Sequence, residues 1–151
     1  MPAGKVTVML TKGLEYAAEE RTATYAAGAG KTTPMTFTLR RLVDLPANGW
    51  YSGDVHVHMN YGGHYVVTPT TLAFQARGED LHVVENLIVN KEERFPDIAW
   101  FTGKVDAASD QTTLIYSGQE YHTSYWGHTG LLGITDHILL PGYAAYAGTA
   151  A

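Results

Sequence analysis

A strand, a helix and a buried strand follow one another in the middle of the chain, and this order restricts the fold most. The stretch WYSGDVHVHM, residues 50–59, alternates apolar and polar side chains as a strand does. Thr68 and Pro69 are typical of a helix N-cap and first helical position, so we predict a helix over about 69–79. Its predicted apolar stripe is Leu72, Ala73 and Ala76. LHVVENLIVN, residues 81–90, then predicts a buried strand, and the three elements together indicate the α/β class.

The regions on either side of this unit also predict strands. KVTVML, RTATYAA and TPMTFTLRRL lie within residues 5–42 and indicate a small sheet of about three strands. LPANG, residues 45–49, has the composition of a turn or linker. DIAWFTG and TTLIYSGQEYHT, residues 97–103 and 112–123, predict two further strands. We therefore predict a β-strand-rich segment over 1–48 and a second, metal-binding region over 49–151, which contains all seven histidines.

Composition excludes several classes of function. The net charge of −5 and the lack of a basic patch argue against a nucleic-acid partner. The chain has no cysteine, so disulfides, thiolate ligands and thiol nucleophiles are excluded. No apolar run approaches the ~20 residues that span a bilayer, and the first residues lack the apolar core of a secretory signal. We expect no membrane partner, and the sequence predicts no particular localisation.

Three histidines in nine positions predict a metal site. His56 and His58 alternate onto one face of the predicted strand, with their Cα atoms ~7 Å apart. A neutral imidazole is the commonest protein metal ligand, and two on one face can grip one ion. Asp54 is expected on the same face, where it would orient one ring. His64 follows a Gly-Gly pair that allows the backbone to turn back toward the other two.

A second polar cluster lies in GQEYHTSYWGH, residues 118–128. Glu120 and His122 alternate onto one face of a predicted strand, and His128 follows just beyond it. A carboxylate with one or two imidazoles would complete a nitrogen and oxygen site suited to Zn, Mn, Fe or Ni. His82 is instead expected to pack within its strand. The sequence contains no nucleophile elbow, phosphate loop or dinucleotide fingerprint.

Four separated blocks resemble the CehA/McbA family of metal-dependent hydrolases in the PHP (polymerase and histidinol phosphatase) superfamily. The blocks are GWYSGDVHVHMNYGGHY, ENLIVNKEERFPDIAWF, GQEYHTSYWGHTGLLGI and LLPGYAAY, and they occur in the expected order over about residues 49–148. The resemblance implies a distorted (β/α) barrel with several metal ions at its C-terminal face. It also implies the metal ligands, which are His56, His58, His64, Glu120 and His128. Glu120 would bridge metal ions, whereas His122 lies outside the family pattern.

The chain departs from the superfamily pattern in two respects. Its second motif, Thr-Asp-His at a strand end, is replaced by residues such as Asn90 and Lys91. The last motifs are expected beyond residue 151, which leaves room for only the N-terminal part of the catalytic domain. We therefore expect a partial PHP-type barrel preceded by a few β-strands. Two copies of the chain could associate and close its open strand edges, so a homo-oligomer is expected.

These features predict a metal-dependent hydrolase that acts on a small-molecule substrate. A water activated by a divalent metal (Zn, Mn or Fe) would attack an ester, carbamate, amide or phosphoester bond. Asp54 or His122 would transfer the proton. One alternative is a small β-rich metal-binding protein of the cupin kind that hydrolyses nothing. The other is an inactive front part of a larger hydrolase.

Overall fold

The computed structural model describes residues 3–25, 34–61, 66–89, 96–123 and 127–139. These residues form a mixed α/β structure that consists mostly of sheet with one α-helix. The strands are β1 (Gly4–Leu10), β2 (Glu19–Tyr25), β3 (Gly53–Val57), β4 (Val83–Val89), β5 (Leu114–Thr123) and β6 (Gly127–Leu131), and the helix is α1 (Pro69–Gly78). The chain divides into two compact units, Met1–Trp50 and Tyr51–Ala151. Among the described residues, no helix is both long and apolar enough to cross a membrane.

The first unit is built on an antiparallel ribbon of β1 and β2, in which Gly4 lies opposite Tyr25. The third strand predicted over 33–42 is wrong for its described part. Residues 34–40 join no ladder, and Arg41 makes an isolated bridge with Tyr16. The alternation that suggested a strand is present in the burial, because every second side chain of this segment is half-buried. Backbone pairing is a separate requirement, which the alternation of side chains does not ensure.

The buried side chain of Glu15 joins two segments of this first unit. One of its carboxylate oxygens accepts hydrogen bonds from Arg41 Nη1 at 2.7 Å and from the Leu45 N–H at 3.0 Å. Because a buried carboxylate requires such partners, these bonds hold residues 41–45 against the turn at Glu15. The predicted turn follows directly as a short 3-10 helix, Pro46–Asn48, closed by Gly49 in the left-handed conformation.

The second unit contains a four-stranded sheet in the order β3-β4-β5-β6. The first three strands are parallel, and β6 runs antiparallel to β5. Helix α1 connects β3 to β4, so the predicted strand–helix–strand unit is confirmed. Thr68 caps the helix as predicted, since its hydroxyl accepts from the Thr71 N–H. The predicted apolar stripe of α1 is buried in the structure.

The core of the second unit lies between α1 and the sheet. It contains the buried side chains of Met59, Leu72, Ala73, Ala76, Val84 and Ile115. Strand β4 is buried on its other face as well, where Leu87 and Val89 are 2% and 1% exposed. This explains why LHVVENLIVN is almost continuously apolar, as a central parallel strand must be.

In the second unit, two parts of the strand prediction differ from the structure. The strand predicted over 97–103 is wrong, because Asp97 adopts a left-handed backbone and a 3-10 turn follows at Ile98–Trp100. Strand β6 was not predicted, since GHTGL has neither β-branched enrichment nor clear alternation. The predicted strand over 112–123 is confirmed as β5. β3 and β6 are the edges of the sheet, so the described residues form an open sheet and not a closed barrel.

Candidate metal centre

The carboxyl ends of β3, β4 and β5 meet at one edge of the sheet, which is where ligands bind in open α/β sheets. His58 directly follows β3. Glu120 lies in β5 opposite Val89, the last residue of β4. The topology therefore brings two stretches together that are more than sixty residues apart in the sequence.

His56, His58 and Glu120 form a compact group whose ligand atoms all lie within 4.8 Å of one another. The Nε2 atom of His58 lies 2.8 Å from Glu120 Oε2, and that of His56 lies 3.4 Å from the same oxygen. Because β4 separates β3 from β5, their backbones are ~10 Å apart. The long side chains bridge this distance above β4, and all three donor atoms converge on one point.

The His58 ring is oriented by a backbone group. Its Nδ1 lies 2.8 Å from the Leu87 carbonyl oxygen, one residue beyond the last β3–β4 pair. A carbonyl can only accept, so Nδ1 must carry the proton, and in a neutral ring Nε2 then presents its lone pair. In a neutral ring this lone pair would face a carboxylate oxygen at 2.8 Å, an arrangement that a cation bound by both atoms would stabilise. A ligating histidine typically donates its other N–H in this way.

Burial decreases across the group from Glu120 to His56. The side chains of Glu120, His58 and His56 are 4%, 20% and 60% exposed, respectively. A carboxylate as buried as Glu120 requires charged or hydrogen-bonding partners. The exposed side at His56 leaves an approach from solvent. Three protein donors with one open side suit a cation that exchanges ligands rather than a closed structural site.

His128 lies next to this group but contacts the other oxygen of Glu120. Its Nδ1 is 2.5 Å from Glu120 Oε1, so it holds the carboxylate from the side opposite His56 and His58. His122 is paired with His128 in the β5–β6 ladder, and their ring centroids are 3.8 Å apart. Thus two predicted site residues contact each other next to Glu120: His128, predicted as a ligand, and His122, predicted as a proton carrier. Neither belongs to the three-residue group.

The structure places Asp54 differently from the alternation prediction. A β-bulge lies between Asp54 and Val57, which pair with Val84 and Asn86 of β4, respectively. Since Val84 and Asn86 share one face of β4, Asp54 lies by register with Val57 and not with the histidines. Its carboxylate accepts from the backbone N–H of His56 at 3.0 Å. Asp54 therefore supports the bulge backbone, and within the described part of the chain it bonds to no histidine ring.

Three histidines remain to be placed: His64, His82 and His137. His64, predicted as the third ligand of the first motif, lies outside the described residues, as do Asn90 and Lys91. His82 is held at Nδ1 by Ser52 Oγ at 2.8 Å, which agrees with a packing role. His137 is exposed and pairs with Asp136 at 2.9 Å. Hydrogen bonding to the backbone N–H of His137 lowers the pKa of Asp136.

Sequence reasoning missed the polar contacts that β4 makes with other segments. The Leu87 carbonyl could not be found, because every residue has a carbonyl. Asn86 and Glu85 did leave a signal, since they are polar residues in a buried strand. Asn86 Oδ1 accepts from the Met59 N–H at 3.1 Å, and Glu85 Oε1 accepts from the Gly133 N–H at 2.9 Å.

Comparisons with family models, curated proteins and solved structures give no significant match to this chain. The candidate site therefore depends on the geometry of this structure alone. Two imidazoles and one carboxylate converge at the carboxyl edge of a parallel sheet and could hold a metal ion.

Proposed function

We propose that this chain is a metal-dependent hydrolase in which His56, His58 and Glu120 bind a divalent cation. The observation that carries the proposal is the direction of His58. Its Nδ1 donates to Leu87, and its Nε2 faces Glu120 at 2.8 Å. Zn, Mn and Fe all suit two imidazoles and a carboxylate. When bound, the cation supplies Lewis acidity, which activates water and polarises a scissile carbonyl or phosphoryl bond.

The chain's own residues have separate roles in this proposal. One oxygen of Glu120 faces His58 and would contact the cation, while the other lies 2.5 Å from His128 Nδ1, which holds the carboxylate in place. His122 and His128, whose rings are in contact, would hold and transfer a proton at Glu120 Oε1. We favour His122 over Asp54 for proton transfer, because the Asp54 carboxylate is engaged by a backbone N–H.

The resemblance to CehA/McbA hydrolases supports an ester, carbamate, amide or phosphoester as the small-molecule substrate. The same resemblance is the basis for a partial PHP-type barrel around this sheet. We further propose that the chain self-associates, because β3 and β6 are the edge strands of the sheet that the described residues form.

A non-hydrolytic metalloprotein is the second candidate function. Two histidines and one carboxylate are also the donor set with which many proteins hold Fe(II) for redox chemistry. The small β-rich sheet with one helix fits such a protein. In this case the three-residue group would bind metal, but water would not be activated for hydrolysis.

Metal content and hydrolysis measured on the same preparations test the proposal. We expect the protein to bind Zn²⁺ or Mn²⁺ and to hydrolyse at least one chromogenic ester, carbamate, amide or phosphoester. His56→Ala removes an exposed ligand and should sharply lower both metal content and hydrolysis without unfolding the chain. His137→Ala removes an exposed histidine outside the centre and should change neither. Metal binding without hydrolysis, with a preference for iron, would favour the second candidate, and a lack of metal binding would refute both.

A further inference from the structure

Two polar side chains, those of Asn86 and Asp97, hold the backbone that follows His58. The Met59 N–H donates to Asn86 Oδ1 at 3.1 Å. The Asn60 N–H donates to Asp97 Oδ2 at 3.1 Å, and Asn60 Nδ2 donates to Asp97 Oδ1 at 2.5 Å. Both backbone N–H groups after the histidine therefore have a side-chain acceptor that comes from a distant part of the sequence.

Asn60 also joins the two ends of the connection between β3 and α1. Its Oδ1 accepts from the Val67 N–H at 2.7 Å, and its Nδ2 donates to the Val67 carbonyl at 2.8 Å. An Asn side chain offers two amide protons. Both are used here, one by Val67 and one by Asp97. Asn60 is thus the point where three segments of the chain meet, one residue beyond Met59 and two beyond His58.

Asp97 adopts a backbone conformation that costs energy. Its φ is 71°, in the left-handed region that residues other than glycine seldom occupy. Asp and Asn tolerate this region better than other side chains, and such a conformation persists only where its surroundings hold it. Both carboxylate oxygens of Asp97 bond to Asn60. Asp97 therefore uses both of its carboxylate oxygens to hold Asn60 in place.

We propose that Asn60, held by Asp97, is a positioning residue for the metal ligand His58. This inference rests on the proposed metal centre. The Leu87 carbonyl orients the His58 ring, while Asn60 and Asn86 fix the backbone that directly follows it. Together they aim His58 Nε2 at Glu120. Without the bonds of Asn60, the His58 backbone could move and the ring would lose its alignment, although all three ligands would remain.

Asp97→Asn tests this role with a minimal change of shape. The variant keeps the left-handed tolerance and one acceptor oxygen, but it presents an amide group to an Asn60 donor. Asp110→Asn is the matched control, because Asp110 is another hydrogen-bonded carboxylate of the same unit, bonded to Thr112 and Thr113 ahead of β5. We would measure the affinity for Zn²⁺ by competition with a chromogenic chelator, and the visible spectrum of bound Co²⁺, at a temperature where both variants are folded.

Asp97→Asn should weaken Zn²⁺ binding about 10- to 100-fold, as loss of an outer partner of a ligand typically does, and should alter the Co²⁺ spectrum. Asp110→Asn should change neither. Asn60→Ala should have a larger effect, and if it does not fold, Asp97→Asn decides. Wild-type affinity in Asp97→Asn, or equal weakening in both Asp variants, would overturn the positioning role and leave the metal centre intact. A wild-type protein that binds no metal would overturn both.

Discussion

The Nδ1 of His58 donates to the backbone carbonyl of Leu87 at 2.8 Å, so a buried central strand determines which nitrogen of this histidine faces Glu120. His56 has the same residue type and the same target oxygen, but its side chain is 60% exposed, whereas that of His58 is 20% exposed. His58 is therefore the more buried of the two histidines and the one whose ring a backbone group orients.

From this difference we predict that His58→Ala will weaken Zn²⁺ binding more than His56→Ala. A ligand oriented in advance loses less freedom on binding, so its removal costs more affinity. We expect His58→Ala to exceed the ~10- to 100-fold loss that removal of an outer partner causes. Chelator competition on both variants measures this, and a His56→Ala variant that binds more weakly than His58→Ala would contradict it.

Gly118→Ala should destabilise the sheet by about 1–3 kcal/mol through overpacking. A Cβ at this position would lie 2.5 Å from Glu85 Oε1 and 2.5 Å from the Leu131 carbonyl oxygen, and the latter belongs to the backbone and cannot rotate away. Gly130→Ala is the control, because its Cβ would meet only Leu87 Cδ1, at an ordinary 3.7 Å. Urea unfolding followed by circular dichroism compares the two, and equal losses would refute the steric argument.

Thr68→Ala should lower the free energy of unfolding by ~1 kcal/mol, because the Thr71 N–H would lose its capping acceptor. Thr70→Ala alters an exposed position of the same helix and should stay within ~0.5 kcal/mol of the wild type. Denaturant titrations of both variants provide the measurement. A larger loss for Thr70→Ala would show that the cap contributes little.

From the lowered pKa of Asp110 we predict that the stability of the fold decreases in the acidic range. Hydrogen bonds from the Thr112 hydroxyl and backbone N–H lower the pKa of Asp110 from 3.8 to about 2. A lowered pKa in the folded state means that the carboxylate stabilises the fold fully above its ordinary pKa of 3.8, and that this contribution is lost as pH falls toward about 2.

Melting temperatures of the wild type and Asp110→Asn, measured between these pH values and neutrality, check this dependence. The wild type should melt higher above the ordinary pKa, and the difference should shrink as the pH falls toward about 2. A difference that stays constant over the acidic range would contradict the assignment.

The local sequence pattern was sufficient to predict several elements of the fold. Thr68 and Pro69 predicted the start of α1, and the continuous apolar run predicted β4 as a buried strand. The pairing of His56 with His58 also follows from position in the sequence. At residues 34–40 the alternation of side chains was right but the strand was wrong, because backbone partners are not specified by local sequence. At residues 97–103 the left-handed backbone of Asp97 and a 3-10 turn take the place of the predicted strand.

The sequence by itself indicated which residues could bind a metal, and it predicted the strands that carry His56 and Glu120, because residue type and periodicity are local properties. Only the tertiary structure decided which of them meet. Parallel pairing across β4 brought Glu120 to His56 and His58, a bulge turned Asp54 away from them, and β6 placed His128 on the second carboxylate oxygen. Such convergence depends on strand register between distant segments, and register is determined by the packing of the whole sheet.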